Sequence, residues 1–286
     1  MEKNLAEKIL KILTSRHFHQ RGAGRNPPKP GDKNYNYFLE RIMDWISKGE
    51  PIPFILGYGY HKNLRVCNGP EPDKAEKRSF EFLVRLGKMV QNIYPPGIII
   101  NVITSGKRAE FANGADPLMT MIYHEKLKEM ILSNPDFSRY FRIFRLEEVW
   151  NRVDGFYSYL IRETEEVRAT ISEDPNLEEL LIQAKRNILA TGRIEESHIT
   201  REMLIESVIR FKASFLTEKE LQLYEKVFPG ALILSYRPNP WYGRPSLLMW
   251  SIKEGNITQP WQGCYDEKID EIITPERQKI IRPGLK

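Results

Sequence analysis

Cysteine is scarce in this chain, and long apolar runs are absent. Cys67 and Cys264 are the only cysteines among 286 residues, so a scaffold of disulfides is not expected. No stretch approaches the ~20 apolar residues that a membrane-spanning helix needs. The charged start, MEKNLAEKILKIL, also lacks the apolar centre of a signal peptide. These absences predict a cytoplasmic protein without a membrane partner.

Short signatures of several enzyme classes are missing as well. The chain has no GxGxxG fingerprint, no GxxxxGKS/T loop, no GxSxG elbow and no HExxH motif. The closest histidine pair, His17 and His19, lies in a basic loop without an acidic neighbour, so a solvated loop is favoured over a metal site. Neither cysteine has a partner at zinc-ligand spacing. We therefore predict no metal ion.

The charge balance is mildly basic. The chain carries 43 Lys and Arg against 38 Asp and Glu, which gives a net charge of +5 at pH 7. Such an excess suits anionic small molecules as well as nucleic acid. Because the acidic residues are spread evenly, nucleic-acid binding through the basic loop 15–34 is the less favoured alternative, and it predicts affinity that falls steeply with salt.

Apolar and amphipathic segments alternate in the pattern of an α/β fold. Residues 51–59 and 97–104 are typical of buried strands, and Asp73 can cap a helix between them. This order favours a right-handed, mostly parallel sheet flanked by helices, with a helical insertion (153–228) and C-terminal strands. The remaining expected elements are helices at 3–15, 35–48, 117–132, 156–172, 177–189, 201–215 and 217–227 (the last begun by a Thr217–Glu220 capping box), strands at 140–149, 231–236 and 246–252, and a loop at 105–116.

The loop after the first strand, GYGYHKNLRVCNG (57–69), is the first candidate site. Open α/β sheets bind ligands beyond the carboxyl ends of their strands. Lys62 can clamp a phosphate or carboxylate, or act as an amine nucleophile. The alternative is a surface loop with structural tyrosines. The other polar candidates of this loop are Tyr58, Tyr60 and His61 as acid–base groups and Arg65 as a donor.

The loop after the second strand, TSGKRAEFANG (104–114), is the second candidate. Ser105, Lys107 and Arg108 are typical of an anion-binding turn, with a solvated turn as the alternative. Both loops follow parallel strands, so we expect them at the same edge of the sheet. His124, on the next expected helix, is an acid–base candidate or a structural histidine.

A third candidate combines arginines with aromatic residues near the C-terminus. Arginine beside an aromatic ring can hold a carboxylate and a ring together. Alternatively, the tryptophans belong to the core and the arginines close a loop. The candidates are Arg237, Trp241 and Arg244 in SYRPNPWYGRP (235–245), and Trp261 and Gln262 in PWQGC (260–264).

Five segments keep the order and spacing of the motifs of a known family. They are FILGYGYHKN (54–63), GPEPDKAEKRSFEFL (69–83), IYPPGIIINVITSGKRAEF (93–111), VFPGALILSYRPN (227–239) and QPWQG (259–263). Together they resemble the isocyanide (isonitrile) synthase family, also called the pyoverdine/dityrosine biosynthesis family. The resemblance implies a Rossmann-like catalytic domain at 51–264 between N-terminal helices with a basic loop (1–50) and a tail (265–286).

The resemblance also implies a reaction and its small-molecule partners. An amino acid's α-amino group becomes an isocyanide, ribulose 5-phosphate donates the carbon, and no cofactor is required. An iron/2-oxoglutarate oxygenase is a frequent downstream companion. For such chemistry we assign Lys62 to the centre, Lys107 and Arg108 to an anion, and Arg237 and Arg244 to carboxylate or phosphate clamps.

The chain departs from the family pattern at three positions. Where the family has Ser-Asp-Gly-Arg, this chain has Ser-Gly-Lys-Arg (105–108), so the aspartate is missing and Gly106 follows the serine. Where the family has Ser-Ile-His, this chain has Ser-Tyr-Arg, which ends in Arg237. Where the family has Pro-Trp-His, this chain has Pro-Trp-Gln, which ends in Gln262. Guanidinium cannot accept a proton as imidazole can, so we expect Arg237 to bind an anion. These losses motivate an alternative, namely an enzyme of the same fold that modifies an amino acid or related small molecule by another reaction.

Overall fold

Helices and short strands make up the described part of the chain. The computed structural model describes residues 2–19, 26–236, 244–249, 263–266 and 271–273. The helices are α1 (Glu2–Leu13), α2 (Lys33–Lys48), α3 (Lys74–Gln91), α4 (Gly106–Asn113), α5 (Pro117–Leu132), α6 (Pro135–Tyr140), α7 (Leu146–Trp150), α8 (Phe156–Thr170), α9 (Leu177–Ala190), α10 (Arg201–Glu220) and α11 (Leu223–Val227). The strands are β1 (Ile52–Tyr58), β2 (Ile98–Thr104), β3 (Phe141–Arg145), β4 (Leu232–Ser235), β5 (Ser246–Leu248), β6 (Cys264–Asp266) and β7 (Glu271–Ile273).

A parallel sheet with the strand order β3-β2-β1-β4-β5 forms the centre of the described fold. Phe54 on β1 lies opposite Ile100 on β2 and Leu232 on β4. The chain first builds the sheet outward from β1 through β2 to β3 and then returns to the other side of β1 with β4. This reversal creates a crevice beyond the carboxyl ends of β1 and β4, where open α/β sheets bind ligands. The predicted α/β fold is confirmed.

Apolar side chains cover both faces of this sheet. On one face, Ile9 of α1, Phe38 of α2 and Phe80 of α3 pack in a single core with the strands. On the other face, Trp150 and Phe156 belong to a second core that also contains side chains of the helical insertion. Burial of each such side chain stabilises the fold by roughly 1.5–3 kcal/mol. The helical insertion therefore completes the second face of the sheet.

Three sequence predictions about helices were wrong. The expected strand at 140–149 ends at Arg145, because Leu146–Trp150 form α7. The expected loop 105–116 contains α4, because the small side chains of Ala109 and Ala112 pack inward while the short helix shows little apolar periodicity. The expected break before residue 217 does not occur, since α10 runs unbroken to Glu220. Thr217 is fully buried inside this helix, and Thr200 caps it instead by accepting from Met203 N at 3.3 Å.

The two cysteines form a disulfide, which the sequence did not predict. Cys67 lies in the loop between β1 and α3, and Cys264 lies in β6. The pairing joins residues 197 positions apart, a relationship that sequence spacing cannot reveal. Within the described part of the chain, no helix has the length and apolar character needed to cross a membrane.

Candidate active site

A buried ammonium group lies between two carboxylates just after β1. Lys62 Nζ is 3.0 Å from Glu76 Oε2 and 3.2 Å from Asp73 Oδ1. The side chains of Lys62 and Glu76 are 1% and 0% exposed. Because removing charges from water is costly unless they are paired, this cluster requires all its members. The loop after β1 and the start of α3 therefore meet at a charged site inside the protein.

The first turn of α3 fixes both carboxylates. Asp73 is the N-cap of α3, and its side chain accepts from Ala75 N at 2.7 Å. Glu76 in turn binds the backbone of Asp73, because its Oε2 accepts a hydrogen bond from Asp73 N at 2.9 Å. This capping box also places negative charge at the positive end of the helix dipole. The sequence DKAE thus fixes the two acids relative to each other by local rules, and the packing of α3 brings them to Lys62.

Hydroxyl groups surround the charged cluster. Tyr123 of α5 donates to Glu76 Oε1 at 3.1 Å, and Ser79 Oγ lies 2.8 Å from Tyr236 OH at the end of β4. The ring of Tyr58 stacks on Phe80 with centroids 5.4 Å apart. Burial raises the pKa of Tyr58, Tyr123 and Tyr236 above the usual value for tyrosine. All three hydroxyls therefore stay protonated at neutral pH and can donate hydrogen bonds.

The Glu76 carboxyl has a raised pKa. Burial raises its pKa to about 7, although the positive charge of Lys62 opposes this effect. A group with a pKa close to the working pH can both give and take a proton. The Lys62–Glu76 pair is therefore suited to general acid–base chemistry at an enclosed site.

The raised pKa of Glu76 predicts a particular pH dependence of stability. The folded protein holds this proton more tightly than the unfolded chain, whose carboxyl has the ordinary value of 4.5. The contribution of Glu76 to the free energy of unfolding is therefore full below pH 4.5 and is lost as the pH rises to about 7. We expect Glu76→Gln to remove this decline, as measured by thermal unfolding from about pH 5 to about pH 8.

Glu81 provides the matched control for this experiment. It lies on the same helix with an exposed side chain, so Glu81→Gln should keep the wild-type pH profile. Parallel profiles for wild type and Glu76→Gln would show that Glu76 has an ordinary pKa in the folded protein.

The two predicted loops meet at the same edge of the sheet. Ser105 N donates to Gly59 O at 3.3 Å, and the Ser105 hydroxyl donates to Tyr58 O. This contact follows from the parallel register, which sets Tyr58 beside Thr104. Lys107 lies near this edge, half-buried, with its ammonium 3.4 Å from Glu110 Oε2.

Both histidine candidates are buried beside this edge. His61 Nδ1 lies 2.5 Å from Lys62 O, and His124 Nδ1 lies 2.8 Å from Thr104 Oγ1. Desolvation lowers the pKa of each ring below the usual value for histidine. Both imidazoles are therefore neutral at pH 7. Tyr60 donates to Asn187 O at 3.3 Å, which anchors the loop to α9.

Several predicted binding residues lie away from the Lys62 cluster. Arg108 pairs with Glu218 in the helical insertion, and Arg65 is exposed, 3.9 Å from Glu196. Arg244 precedes β5 and so lies toward the amino ends of the strands, where it pairs with Glu225 at 2.8 Å. Four further candidates lie outside the described residues: Arg237, Trp241, Trp261 and Gln262.

Sequence reasoning missed the carboxylate at the centre of the site. Glu76 falls on the apolar face of α3, four and seven residues before Phe80 and Leu83. An acid at such a position is buried when the helix packs, and it then needs a cationic partner. The position of Glu76 on the apolar face of α3 was therefore the sequence signal that could have identified it. The contacts of Tyr123 and Tyr236 arise only from the tertiary fold.

Comparison with known proteins identifies the family of this chain. The model of the pyoverdine/dityrosine biosynthesis protein family matches residues 42–282. The chain belongs to this family. Since the match spans both loops and α3, the Lys62 cluster lies within the family's shared region. The resemblance inferred from the sequence motifs is confirmed.

Two relatives show how far the similarity to family members extends. The L-tyrosine isonitrile synthase of Pseudomonas aeruginosa is 25% identical over 284 residues, which cover 86% of this chain and 79% of that protein. The crystal structure of the PvcA protein from Pseudomonas aeruginosa matches with a TM-score of 0.69 and 20% identity, over 96% of this chain and 93% of that one. The structural match supports the fold, and the sequence relationship supports an enzyme related to isonitrile synthases.

The glycine that departs from the family's Ser-Asp-Gly-Arg pattern is closely packed. A Cβ atom on Gly106 would lie 2.9 Å from Thr120 Cβ. Thr120 is buried, and its hydroxyl donates to Glu110 Oε1 at 2.5 Å. An aspartate at position 106 therefore requires Thr120 to move.

Proposed function

We propose that this protein is an isocyanide synthase-like enzyme, which converts an amino acid's α-amino group to an isocyanide with ribulose 5-phosphate as carbon donor. The observation that carries the proposal is the buried Lys62–Glu76–Asp73 cluster at the crevice beyond β1 and β4. Its support is the family membership and the name of the related L-tyrosine isonitrile synthase.

The first chemical step of this proposal matches the groups in the site. The nitrogen lone pair of the amino acid forms a bond to the ketone carbon of the sugar phosphate. The nitrogen loses two protons in all, and the carbonyl oxygen takes up two protons and leaves as water, so an imine forms. In each transfer, ionised Glu76 takes a proton from the nitrogen and the Lys62 ammonium supplies one to the oxygen. A proton passed from Glu76 to Lys62, whose groups are 3.0 Å apart, restores the pair between the two transfers.

The two anionic substrates of this reaction need cationic groups near the site. Lys107 lies at the same sheet edge as the Lys62 loop and is half-buried, so we assign the phosphate to this side. Arg237 remains a proposed carboxylate or phosphate clamp. Arg108 is left out of the binding set, because its guanidinium is buried against the helical insertion, where it pairs with Glu218. We place the enzyme in the cytoplasm, with a downstream iron/2-oxoglutarate oxygenase as pathway companion.

A second candidate is an enzyme of this fold that modifies an amino acid by another reaction. The close contact between Gly106 and Thr120 favours it, since the family's aspartate has no room at this position. Without the family's aspartate, the edge of the site near Gly106 has one fewer carboxylate that could transfer a proton to or from a substrate. The two candidates share the Lys62 cluster and differ in the fate of the sugar phosphate.

Isotope labelling separates these candidates. Purified protein is incubated with uniformly carbon-13-labelled ribulose 5-phosphate, each proteinogenic amino acid in turn, and no added metal. We expect one amino acid to yield a labelled isocyanide by mass spectrometry. The Pseudomonas aeruginosa L-tyrosine isonitrile synthase serves as positive control. An amino acid consumed without label uptake would favour the second candidate, and an untouched sugar phosphate across the panel would contradict the first.

A further inference from the structure

The disulfide lies next to the proposed active site. Cys67 belongs to the loop that carries Lys62, and Cys264 begins β6. Both cysteines are half-buried, so a small reductant can reach the bond. The bond therefore connects the loop of the Lys62 cluster covalently to a strand 197 residues away in the chain.

The strand held by this bond contacts the cluster directly. Tyr265 N, one residue after Cys264, donates to Asp73 Oδ2 at 2.9 Å. The other oxygen of Asp73 lies 3.2 Å from Lys62 Nζ. The ring of Tyr265 also lies 4.6 Å from Lys74 Nζ and 5.0 Å from Arg78 Cζ on α3. One carboxylate thus links β6 to the catalytic ammonium group.

The strand pairing of β6 is short. Among the described residues, β6 pairs only with β7, and each strand has three residues. An isolated two-stranded sheet is marginally stable at best in water. A covalent restraint on β6 therefore contributes strongly to keeping Tyr265 against Asp73.

We propose that the Cys67–Cys264 pair is a thiol-redox control point of the Lys62 site, active when oxidised. Reduction adds two electrons and two protons to the S–S bond and gives two thiols. The electrons and protons come from a dithiol reductant, which becomes a disulfide. Once the bond is broken, β6 leaves α3, Asp73 loses its backbone donor and the Lys62 loop loosens.

The activity part of this inference rests on the proposed function. Its structural part does not, because it concerns the order of the loop and of α3. Disulfides in cytosolic proteins are usually transient, catalytic or redox-sensing, so the proposed cytoplasmic location agrees with a regulatory bond. The chain offers a clean test, since it contains no other cysteine.

Hydrogen exchange with and without dithiothreitol tests the inference. Peptide mapping without reductant first establishes the bond in the full-length protein. After reduction, we expect exchange at the amides of Asp73, Ala75 and Tyr265 to accelerate on the order of tenfold, because a charge-assisted hydrogen bond no longer restrains them. Turnover of the amino acid should fall in parallel. Exchange in β2 should not change.

The double variant Cys67→Ser/Cys264→Ser is the matched control. It should behave as the reduced protein does, and dithiothreitol should have no effect on it. The inference is overturned if the purified protein lacks the bond after oxidation, if exchange at Asp73 is unchanged by reduction, or if a protein that is active when oxidised keeps its full turnover while exchange accelerates. If neither form makes an isocyanide, the proposed function fails, whereas accelerated exchange at Asp73 still supports redox control of this site.

Discussion

Lys62→Met is expected to abolish turnover and to lower the free energy of unfolding by about 3–5 kcal/mol. The variant removes the proposed proton donor. It also leaves Glu76, which is fully buried, and Asp73 without their cation. An uncompensated buried charge is far more costly than the loss of an exposed ion pair. The measurements are carbon-13 incorporation into product and urea unfolding at pH 8, where Glu76 is mostly ionised in the wild type.

The double variant Lys62→Met/Glu76→Gln separates chemistry from stability. Its second change removes the orphaned charge while the side chain keeps its size. We expect most of the lost stability to return, and turnover to remain absent. Wild-type turnover in either variant would exclude Lys62 from the reaction. Wild-type stability in Lys62→Met would contradict the buried ion cluster.

The sheet was predictable because its determinants are local. The strands that contain Phe54 and Ile100 are apolar on both faces, as a parallel sheet covered by helices requires. Asp73 is a typical N-cap residue and predicts the start of the helix between them. The strand order then follows from connection rules. Short elements such as α4 carry no such periodic signal, and their formation depends on what the surrounding chain packs against them.

Only those site residues that lie in loops directly after strands could be predicted from the sequence. Lys62 was found because it follows β1, and Ser105 because it follows β2. Glu76 was missed, since its partner lies in another segment and only the packed helix brings the two together. The pairing of Cys67 with Cys264 was hidden for the same reason.

Arg108 shows the opposite failure of local reasoning. In the sequence it belongs to an apparent anion-binding turn after β2, but the structure places its guanidinium in the helical insertion. Its Nε donates to Ser214 Oγ at 3.1 Å, its Nη2 pairs with Glu218, and its Cζ lies 3.9 Å from the centroid of Phe215. The anion that Arg108 binds is therefore the carboxylate of Glu218, a residue of the protein itself.

Glu218 is the centre of this second buried cluster. Besides Arg108, it accepts from Trp150 Nε1 at 2.8 Å and from Tyr224 OH at 3.2 Å. Its side chain is 2% exposed. Four helices (α4, α7, α10 and α11) therefore meet through one carboxylate, and each donor loses an acceptor if the charge is removed.

Glu218→Gln is accordingly expected to lower the free energy of unfolding by about 3–5 kcal/mol, because Arg108 stays buried and loses its counter-charge. Glu220→Gln is the matched control. Glu220 ends the same helix, is 55% exposed and pairs with Arg162 at 3.4 Å, so its loss should cost less than about 1 kcal/mol. Urea unfolding measures both. Lys62 and Glu76 are not part of the Glu218 cluster. The folded Glu218→Gln protein should therefore keep the wild-type pH profile of turnover. Equal stability losses in the two variants would show that the Arg108–Glu218 pair is effectively solvated.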